Sequence, residues 1–376
     1  MQPLPNTRIK WPYATHLVDP ARPAGLLPIV DGYDPGALVL VRVVFLGKHR
    51  DLESQDGRKL ALFEGDVFVG VLGDRYATDQ FEGLGRVSGP RGHIIGIGGV
   101  VGDVVSANLK MPPPSVIEYL GRLADADGQP LHLSQFQSLP AHPLAQRGAT
   151  TILSVGAAMN SGKTTTAAQV IRSLTVAGHR VAAGKVTGTA CLKDPNILYD
   201  AGAVAVLDFT HAGWPSTANL SLDQLLSIAG RIRASLQTYN PEFVVLEIAD
   251  GILQRETAMM LANDAFRASI DAVTFAGPDP LSCDSGVRRL RELGYHILAT
   301  AGIVANGPLG IAEVEGACGV RCLPGETIQS GGLVSQLRSL RASSQPSAMS
   351  IGAGDDGATV EREMVPGTHG SSRAAL

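Results

Sequence analysis

The spacing of apolar positions changes near Thr150. Before that point short apolar runs, Ala37–Leu46, Lys59–Phe63 and Asp66–Leu72, are set off by the turn signals Glu64-Gly65 and Gly73-Asp74. Runs of this length bounded by turn residues read as strands. Ile94–Val105 is apolar with a Gly at every second or third position. Together these runs predict a small β-barrel or sandwich over residues 37–138. Met111-Pro-Pro-Pro114 interrupts the pattern, and Ser115 reads as the cap of a short amphipathic helix bearing Val116, Ile117, Leu120 and Leu123. Residues 1–36, rich in proline, read as an arm across this unit, and residues 139–149 as a linker.

From Thr150 strands and helices alternate. Strands are expected at Thr151–Val155, Arg180–Lys185, Phe243–Ile248, Ala272–Ala276 and His296–Val304. Helices are expected at Lys163–Ala177, Asp223–Tyr239 (with Ser221 and Asp223 as capping candidates), Gln254–Ala268 and Asp284–Leu293. Such alternation predicts a mostly parallel sheet covered by helices over 150–341. Residues 342–376 lose the periodicity and turn to Ser, Gly, Ala and charges, the composition of a disordered tail.

The 376 residues suit two domains plus tails, with 44% apolar and 18% charged positions. Aromatics are only 5% and net charge is −4, which favours neither nucleic acid nor an anionic membrane surface as a partner. No basic-then-apolar leader opens the chain, and no apolar run approaches a membrane span, so the reading is cytoplasmic. Cys191, Cys283, Cys318 and Cys322 are too few and scattered for a disulfide framework and lack zinc-finger spacing, so buried free thiols are expected. The stretch Gly96-Ile-Gly98-Gly99-Val-Val-Gly102 fails as a dinucleotide fingerprint. Its third Gly falls at 102, where G-x-G-x-x-G needs it at 101, and prolines rather than a long helix come next.

The strongest chemical signal is Gly156-Ala-Ala-Met-Asn160-Ser161-Gly162-Lys163-Thr164-Thr165-Thr166, lying between an expected strand and an expected helix. Backbone N–H groups of such a loop and helix start can point at phosphate oxygens, and the helix dipole adds to that field. Lys163 supplies a point charge to the β- and γ-phosphates, and Thr164 Oγ is placed to ligate Mg²⁺. The histidines form no catalytic set, and His211, in Thr210-His-Ala-Gly, reads as a loop histidine.

The gap between the first Gly and Gly-Lys is five residues, one more than in the common phosphate loop. Val181-Ala-Ala-Gly-Lys185-Val-Thr-Gly188, Tyr199-Asp200-Ala-Gly, Val244-Val-Leu-Glu247-Ile-Ala-Asp250-Gly251 and Ala301-Gly-Ile-Val-Ala-Asn306 come after it in that order. With this longer loop and these segments, residues 150–330 resemble dethiobiotin synthetase. The first segment matches that family's second strand, which ends in Lys, and Asp200 best matches the aspartate downstream of it. The segment with Glu247 is similar to the family's Glu-Gly strand end with two extra residues, and the one ending in Asn306 matches its Val-Ala-Asn. A more distant likeness is to a bacterial group with a β-rich N-terminal part, some members of which act on amino acids.

The resemblance implies an ATP- and Mg²⁺-dependent enzyme that phosphorylates a small carboxylate or carbamate for ligation or ring closure. Thr164, Asp200 and Glu247 would surround one Mg²⁺, with Asp208 and Asp250 as rival carboxylates. Lys163, Lys185 and Glu247 are the catalytic candidates. Gly156, Asn160, Ser161, Gly162, Lys163, Thr164, Thr165 and Asn306 are the nucleotide-binding candidates. Asn306 would read a purine edge or else form a turn before Gly307-Pro308, and Lys185 would hold a phosphoryl group or else sit solvated at a strand end. The expected partner is a carboxylate or amino-acid-like small molecule, and the expected assembly is a homo-oligomer. The competing class is a nucleotide-gated switch or a metal- or cofactor-insertion chaperone of the same superclass. Guanine-reading Asn-Lys-x-Asp and His- or Cys-rich tracts are missing from the chain, which ranks the enzyme first.

Overall fold

The computed structural model describes residues 1–140 and 148–344. Residues 141–147, within the expected linker, and 345–376, most of the expected tail, lie outside the described residues.

In the N-terminal half, β1 (Gly25–Leu27), β2 (Leu38–Phe45), β3 (Val67–Leu72), β4 (Phe81–Leu84), β5 (Arg91–Gly96), β6 (Val100–Ala107) and β7 (Ser115–Ala124) make one sheet. Its path β3-β2-β7-β5-β6 closes on itself, because β6 also pairs with β3 through Val100↔Val71 and Val101↔Leu72. Of the expected barrel or sandwich it is therefore the barrel, and closure removes the two edges that a small sheet would otherwise expose. Alternate residues of β2 serve two cores: Val39, Val41 and Val43 pack with Phe68, Ile94 and Ile117, while Leu38 and Leu40 pack with Val69, Ile95 and Leu123.

One expectation is overturned in this half. Residues 115–124 form β7, paired with β2, β5 and β1, and not a helix. Val116, Ile117, Leu120 and Leu123 fit a helical face, but the burial along the segment alternates with period two until its last residues. β-branched and aromatic residues suit a pleated surface, and vacant ladder positions on both neighbours decide the outcome. The Gly-rich stretch is the β5–β6 hairpin, with a register irregularity between Ile94 and Gly96. The first 36 residues are built into the same layer: Ile9–Lys10 pairs with β3, β1 pairs with β7, and Tyr13, Ala14, Val18 and Leu26 are buried in its core.

The second half is a six-stranded, wholly parallel sheet. Its strands are β8 (Thr150–Gly156), β9 (Val181–Lys185), β10 (Val206–Asp208), β11 (Phe243–Glu247), β12 (Ala272–Ala276) and β13 (Ile297–Ala301), in the order β10-β9-β11-β8-β12-β13. Every residue of β8, β9, β11 and β12 is buried, as a sheet covered on both faces requires. Helix α1 (Lys163–Val176) lays Ala167, Val170, Ile171 and Leu174 on one face, together with α2 (Lys193–Asp200) and the helix Val334–Ser344. Helix α3 (Leu222–Gln237), capped by Ser221 accepting from Gln224 N, covers the other.

The single helix expected over 254–268 is two, α4 (Arg255–Leu261) and α5 (Asp264–Ala268). Asn263 breaks it, its side chain accepting from Phe266 N at 3.0 Å as the cap of the second. Pro280–Glu292 forms α6. The last strand stops at Ala301, because Gly302 turns the chain at φ 96° into a short 3₁₀ turn, Ile303–Asn306.

The barrel packs on the carboxyl edge of the parallel sheet. Asp79 accepts from Asn160 Nδ2 of the loop after β8 at 2.6 Å. Glu53 accepts from Leu192 N in the segment after β9 at 2.6 Å, and Asp74 from Asn219 Nδ2 in the segment after β10 at 2.7 Å. Tyr13 OH donates to Asp208 Oδ2 at 2.7 Å across 195 residues of sequence. In open parallel sheets this edge is where ligands bind.

Candidate functional site

The loop Gly156–Gly162 joins β8 to α1 and curls over the helix start. Gly162 sits at φ 102°, and a Cβ there would come within 2.9 Å of Gly302 Cα, so both conformation and space require glycine. Asn160, at φ 59°, takes the left-handed turn that Asn tolerates better than most residues. Lys163 folds back across the loop, its Nζ donating to Ala158 O at 2.7 Å. Ser161 Oγ is buried without a partner and packs against Gly156.

Lys185 and Glu247 end adjacent strands in register, which puts both beside this loop. Glu247 Oε1 accepts from Thr164 Oγ1 at 2.9 Å and lies 3.9 Å from Lys185 Nζ, while its Oε2 is buried with no partner. Lys185 is also paired with Asp194, in the first turn of α2. Burial acts to lower the Lys185 pKa, but Glu247 and Asp194 outweigh it and hold the ammonium above its usual range. Burial raises the Glu247 pKa and prevails over the pull of Lys185. Burial likewise lowers Lys163 and pushes Asp250 up to about 6 against the pull of Lys163 and Lys185. Two buried lysines beside desolvated carboxylates with raised pKa values mark this as a candidate functional site.

Lys163, Thr164, Lys185 and Glu247 line one cavity of about 470 Å³, which also takes in Met159, Asn160, Gly162, Thr165, Cys191, Asp194 and Asp250, but neither Gly156 nor Ser161. The barrel completes its wall with Arg75, Tyr76, Ala77 and Gln80.

The residues expected to act together are partly assembled. Lys163, Thr164, Lys185 and Glu247 converge, as do Asn160, Gly162 and Thr165. Asp200 does not. It is exposed at the end of α2, and the carboxylate that the helix turns toward Lys185 is Asp194. That helix lines the cavity only as far as Ile197, so an aspartate at its far end is carried away. Asn306 is exposed at the end of the 3₁₀ turn and does not line the cavity, since Gly302 ends the strand early.

Asp208, the other rival carboxylate, is fully engaged elsewhere. It accepts from Tyr13 OH and from Thr210, and it lies 3.0 Å from His211 Nδ1. His211 in turn meets His16 edge-on at a ring-centroid separation of 4.9 Å. This knot ties the N-terminal segment to the parallel sheet, and it places His211 away from the phosphate loop's cavity lining.

Sequence reasoning missed Asp194 and Arg75. The first had a usable signal, an acidic residue before Pro195 at a helix start shortly after Lys185. Arg75 had none, because the fold alone brings it from the other half of the chain. The four cysteines are free, with Cys283, Cys318 and Cys322 buried and Cys191 at the cavity wall. No helix among the described residues is long and apolar enough to cross a membrane.

Oxygen donors with one orphaned, buried carboxylate oxygen fit Mg²⁺. Among the described residues no three His, Cys, Asp or Glu side chains are grouped to hold a metal by themselves, so such a cation would need phosphate oxygens as well.

The strand–loop–helix with Gly-Lys-Thr at the helix start, on a six-stranded parallel sheet, defines a P-loop nucleoside-triphosphatase fold fused to a β-barrel. No family model and no curated protein matches the chain. Solved structures that align with it include the signal recognition particle 54 kDa protein from Aeropyrum pernix K1 in complex with GDP, at 18% identity over 56% of this chain and 53% of that one, with a TM-score of 0.36. The signal recognition particle receptor FtsY from Elizabethkingia anophelis with GDP aligns at 15% identity over 50% and 60%, TM-score 0.34. A DUF1611 family protein from Anabaena variabilis ATCC 29413 aligns at 15% over 55% and 63%, TM-score 0.35. The chain thus spans 53%, 60% and 63% of the lengths of these three.

Proposed function

We propose that the protein is an ATP- and Mg²⁺-dependent phosphotransferase, similar to dethiobiotin synthetase in its chemistry, that phosphorylates a small carboxylate or carbamate. The observation that carries this reading is the convergence of Lys163, Thr164, Lys185 and Glu247 in one cavity at the carboxyl edge of the sheet. Phosphoryl transfer asks for positioned cations more than for covalent chemistry. Lys163, freed from Ala158 O, would reach the β- and γ-phosphates, and the loop N–H groups, that of Ser161 among them, would hold their oxygens. Lys185, kept protonated by two carboxylates, would meet the charge that moves toward the leaving group. Thr164 and Glu247 would hold the Mg²⁺, which supplies neutralisation of phosphate charge. A carboxylate acceptor is already an anion near neutral pH, so its attack needs no base.

The rival reading, a nucleotide-gated switch, draws support from the Asn160–Asp79 hydrogen bond, which couples the phosphate loop directly to the barrel. Calorimetry decides between them. ATP with Mg²⁺ should bind the wild type, bind at least about tenfold more weakly to Lys163→Ala, and be preferred to GTP. Equal ATP affinity in both proteins removes the phosphate-loop assignment. Tighter binding of GTP together with no carboxylate-stimulated phosphate release makes the switch the better reading.

A further inference from the structure

A second cavity, of about 350 Å³, adjoins the first between the barrel and the parallel sheet. Arg75, Gln80, Thr189 and Cys191 line both, so the two spaces share a wall and Arg75 faces each of them. The Arg75 guanidinium is fixed in place. It donates to Ile95 O and, at 2.9 Å, to Gln80 Oε1, and it lies 3.4 Å from His49 Nε2. Burial, and then Arg75 itself, pushes the His49 pKa down to about 4. The imidazole is therefore neutral, with Nδ1 at 2.9 Å from Ile94 O. The arginine keeps its charge even when buried.

The remaining wall, which the first cavity does not share, carries Lys48 and Arg50. Both side chains are exposed, and Asp51 beside them is neutralised by Lys59 at 2.9 Å, which leaves their charge uncancelled at that wall. Ile97 and Ala190 add apolar lining. The cavity thus has one cation on the wall it shares with the nucleotide site and two on the wall it does not share, with apolar lining besides.

We propose that this second cavity is the acceptor site and that it takes a short dicarboxylate, or a carboxylate bearing a second anionic group at its other end. This rests on the phosphotransferase reading and deepens it. The reactive carboxylate lies at Arg75, where the guanidinium offsets the repulsion between two anions, and the distal carboxylate lies at Lys48 and Arg50. In the reaction, one oxygen of the reactive carboxylate forms a bond to the γ-phosphorus as the bond from that phosphorus to the β–γ bridging oxygen breaks. The nucleoside diphosphate leaves with the electron pair, an acyl phosphate forms, and no proton is transferred.

The test is calorimetric titration of the full chain, without nucleotide, with acetate, butyrate, malonate, succinate, glutarate and adipate. At least one dicarboxylate should bind about ten times more tightly than butyrate, roughly what one charge-assisted contact gives. The double variant Lys48→Ala/Arg50→Ala alters exposed side chains and should keep the fold. It should erase the dicarboxylate advantage and leave ATP affinity within about twofold. Lys163→Ala should lose ATP and still bind the dicarboxylate. No dicarboxylate binding, no preference over butyrate, or a preference that survives in the double variant overturns the proposal. Dicarboxylate binding in a wild-type protein that binds no nucleotide would instead sink the phosphotransferase reading and leave the anion site standing.

Discussion

Glu247→Gln separates a catalytic role for this carboxylate from a structural one. The substitution keeps shape and keeps an oxygen to accept from Thr164 Oγ1, which lies 2.9 Å from Oε1. The new amide nitrogen falls where Oε2 has no partner to lose. What disappears is a charge 3.9 Å from Lys185 Nζ. At an effective dielectric of about 20 that attraction is worth roughly 4 kcal/mol gross. Burial of the carboxylate opposes it, and the raised Glu247 pKa shows that burial prevails. Lys185 meanwhile retains Asp194. The thermal midpoint of the nucleotide-free protein at pH 7 should therefore hold or rise. Nucleotide affinity should fall by less than about tenfold, because phosphate oxygens and Thr164 still hold the cation. Turnover should fall about 10²–10³-fold, the usual consequence of losing one oriented electrostatic contact in the transition state, or roughly 3–4 kcal/mol. Coupled-assay nucleoside diphosphate release, calorimetry and differential scanning fluorimetry read the three quantities. Wild-type turnover in Glu247→Gln, with turnover lost in Asp250→Asn, would transfer the role to Asp250. A fall in midpoint matched by equal losses in affinity and turnover would make Glu247 a structural partner of Lys185.

Three other outcomes are expected of the same structure. The Asp250 pKa is raised to about 6, so its favourable contribution is present below about pH 4 and lost as pH rises through 6. Asp250→Asn, with a side chain that tolerates φ 60°, should stabilise the metal-free protein at pH 8 by up to about 3 kcal/mol and flatten the pH 4–6 slope of its unfolding midpoint; an unchanged slope refutes the assignment. For Asp208 the sign is opposite. Burial pushes its pKa up, but His211, Thr210 and Tyr13 pull it down to about 2, giving about 2 kcal/mol that is present above pH 4 and lost as pH falls toward 2. Tyr13→Phe, which removes one donor to that buried carboxylate, should cost about 1–3 kcal/mol in urea unfolding at pH 7, and no loss would place the tie elsewhere. Deleting residues 1–36 should lower the midpoint sharply, because Tyr13, Ala14, Val18 and Leu26 leave the barrel's core; a truncated chain as stable as the whole would show that this core closes without them.

The parallel half was legible because its signals are local. Continuous apolar strands, the cap at Ser221 and the Gly-Lys-Thr turn each fix their own surroundings, and Ala272–Ala276 was read to the residue. The failures lie where a distant partner decides. Val116–Leu123 has helical spacing, and only ladder positions on three other strands make it β7. Asp200 and Asp194 stand on one short helix, and only the direction in which that helix leaves Lys185 selects between them. The phosphate side of the site could be read from the residues that form it. Its opposite wall, with Arg75, depends on how the barrel lands on the sheet, and no spacing within either half encodes that.

The bond from Tyr13 to Asp208 also sets an order of events at the ribosome. The N-terminal segment is made first, yet its buried hydroxyl waits for an acceptor 195 residues downstream. The barrel strands can pair while the rest of the chain is still emerging, since domains settle as units during synthesis. The Tyr13 hydroxyl cannot meet that acceptor until β10 has joined the parallel sheet. A bond of the earlier-made half thus waits on the later-made one, and its closure joins the barrel to the parallel sheet.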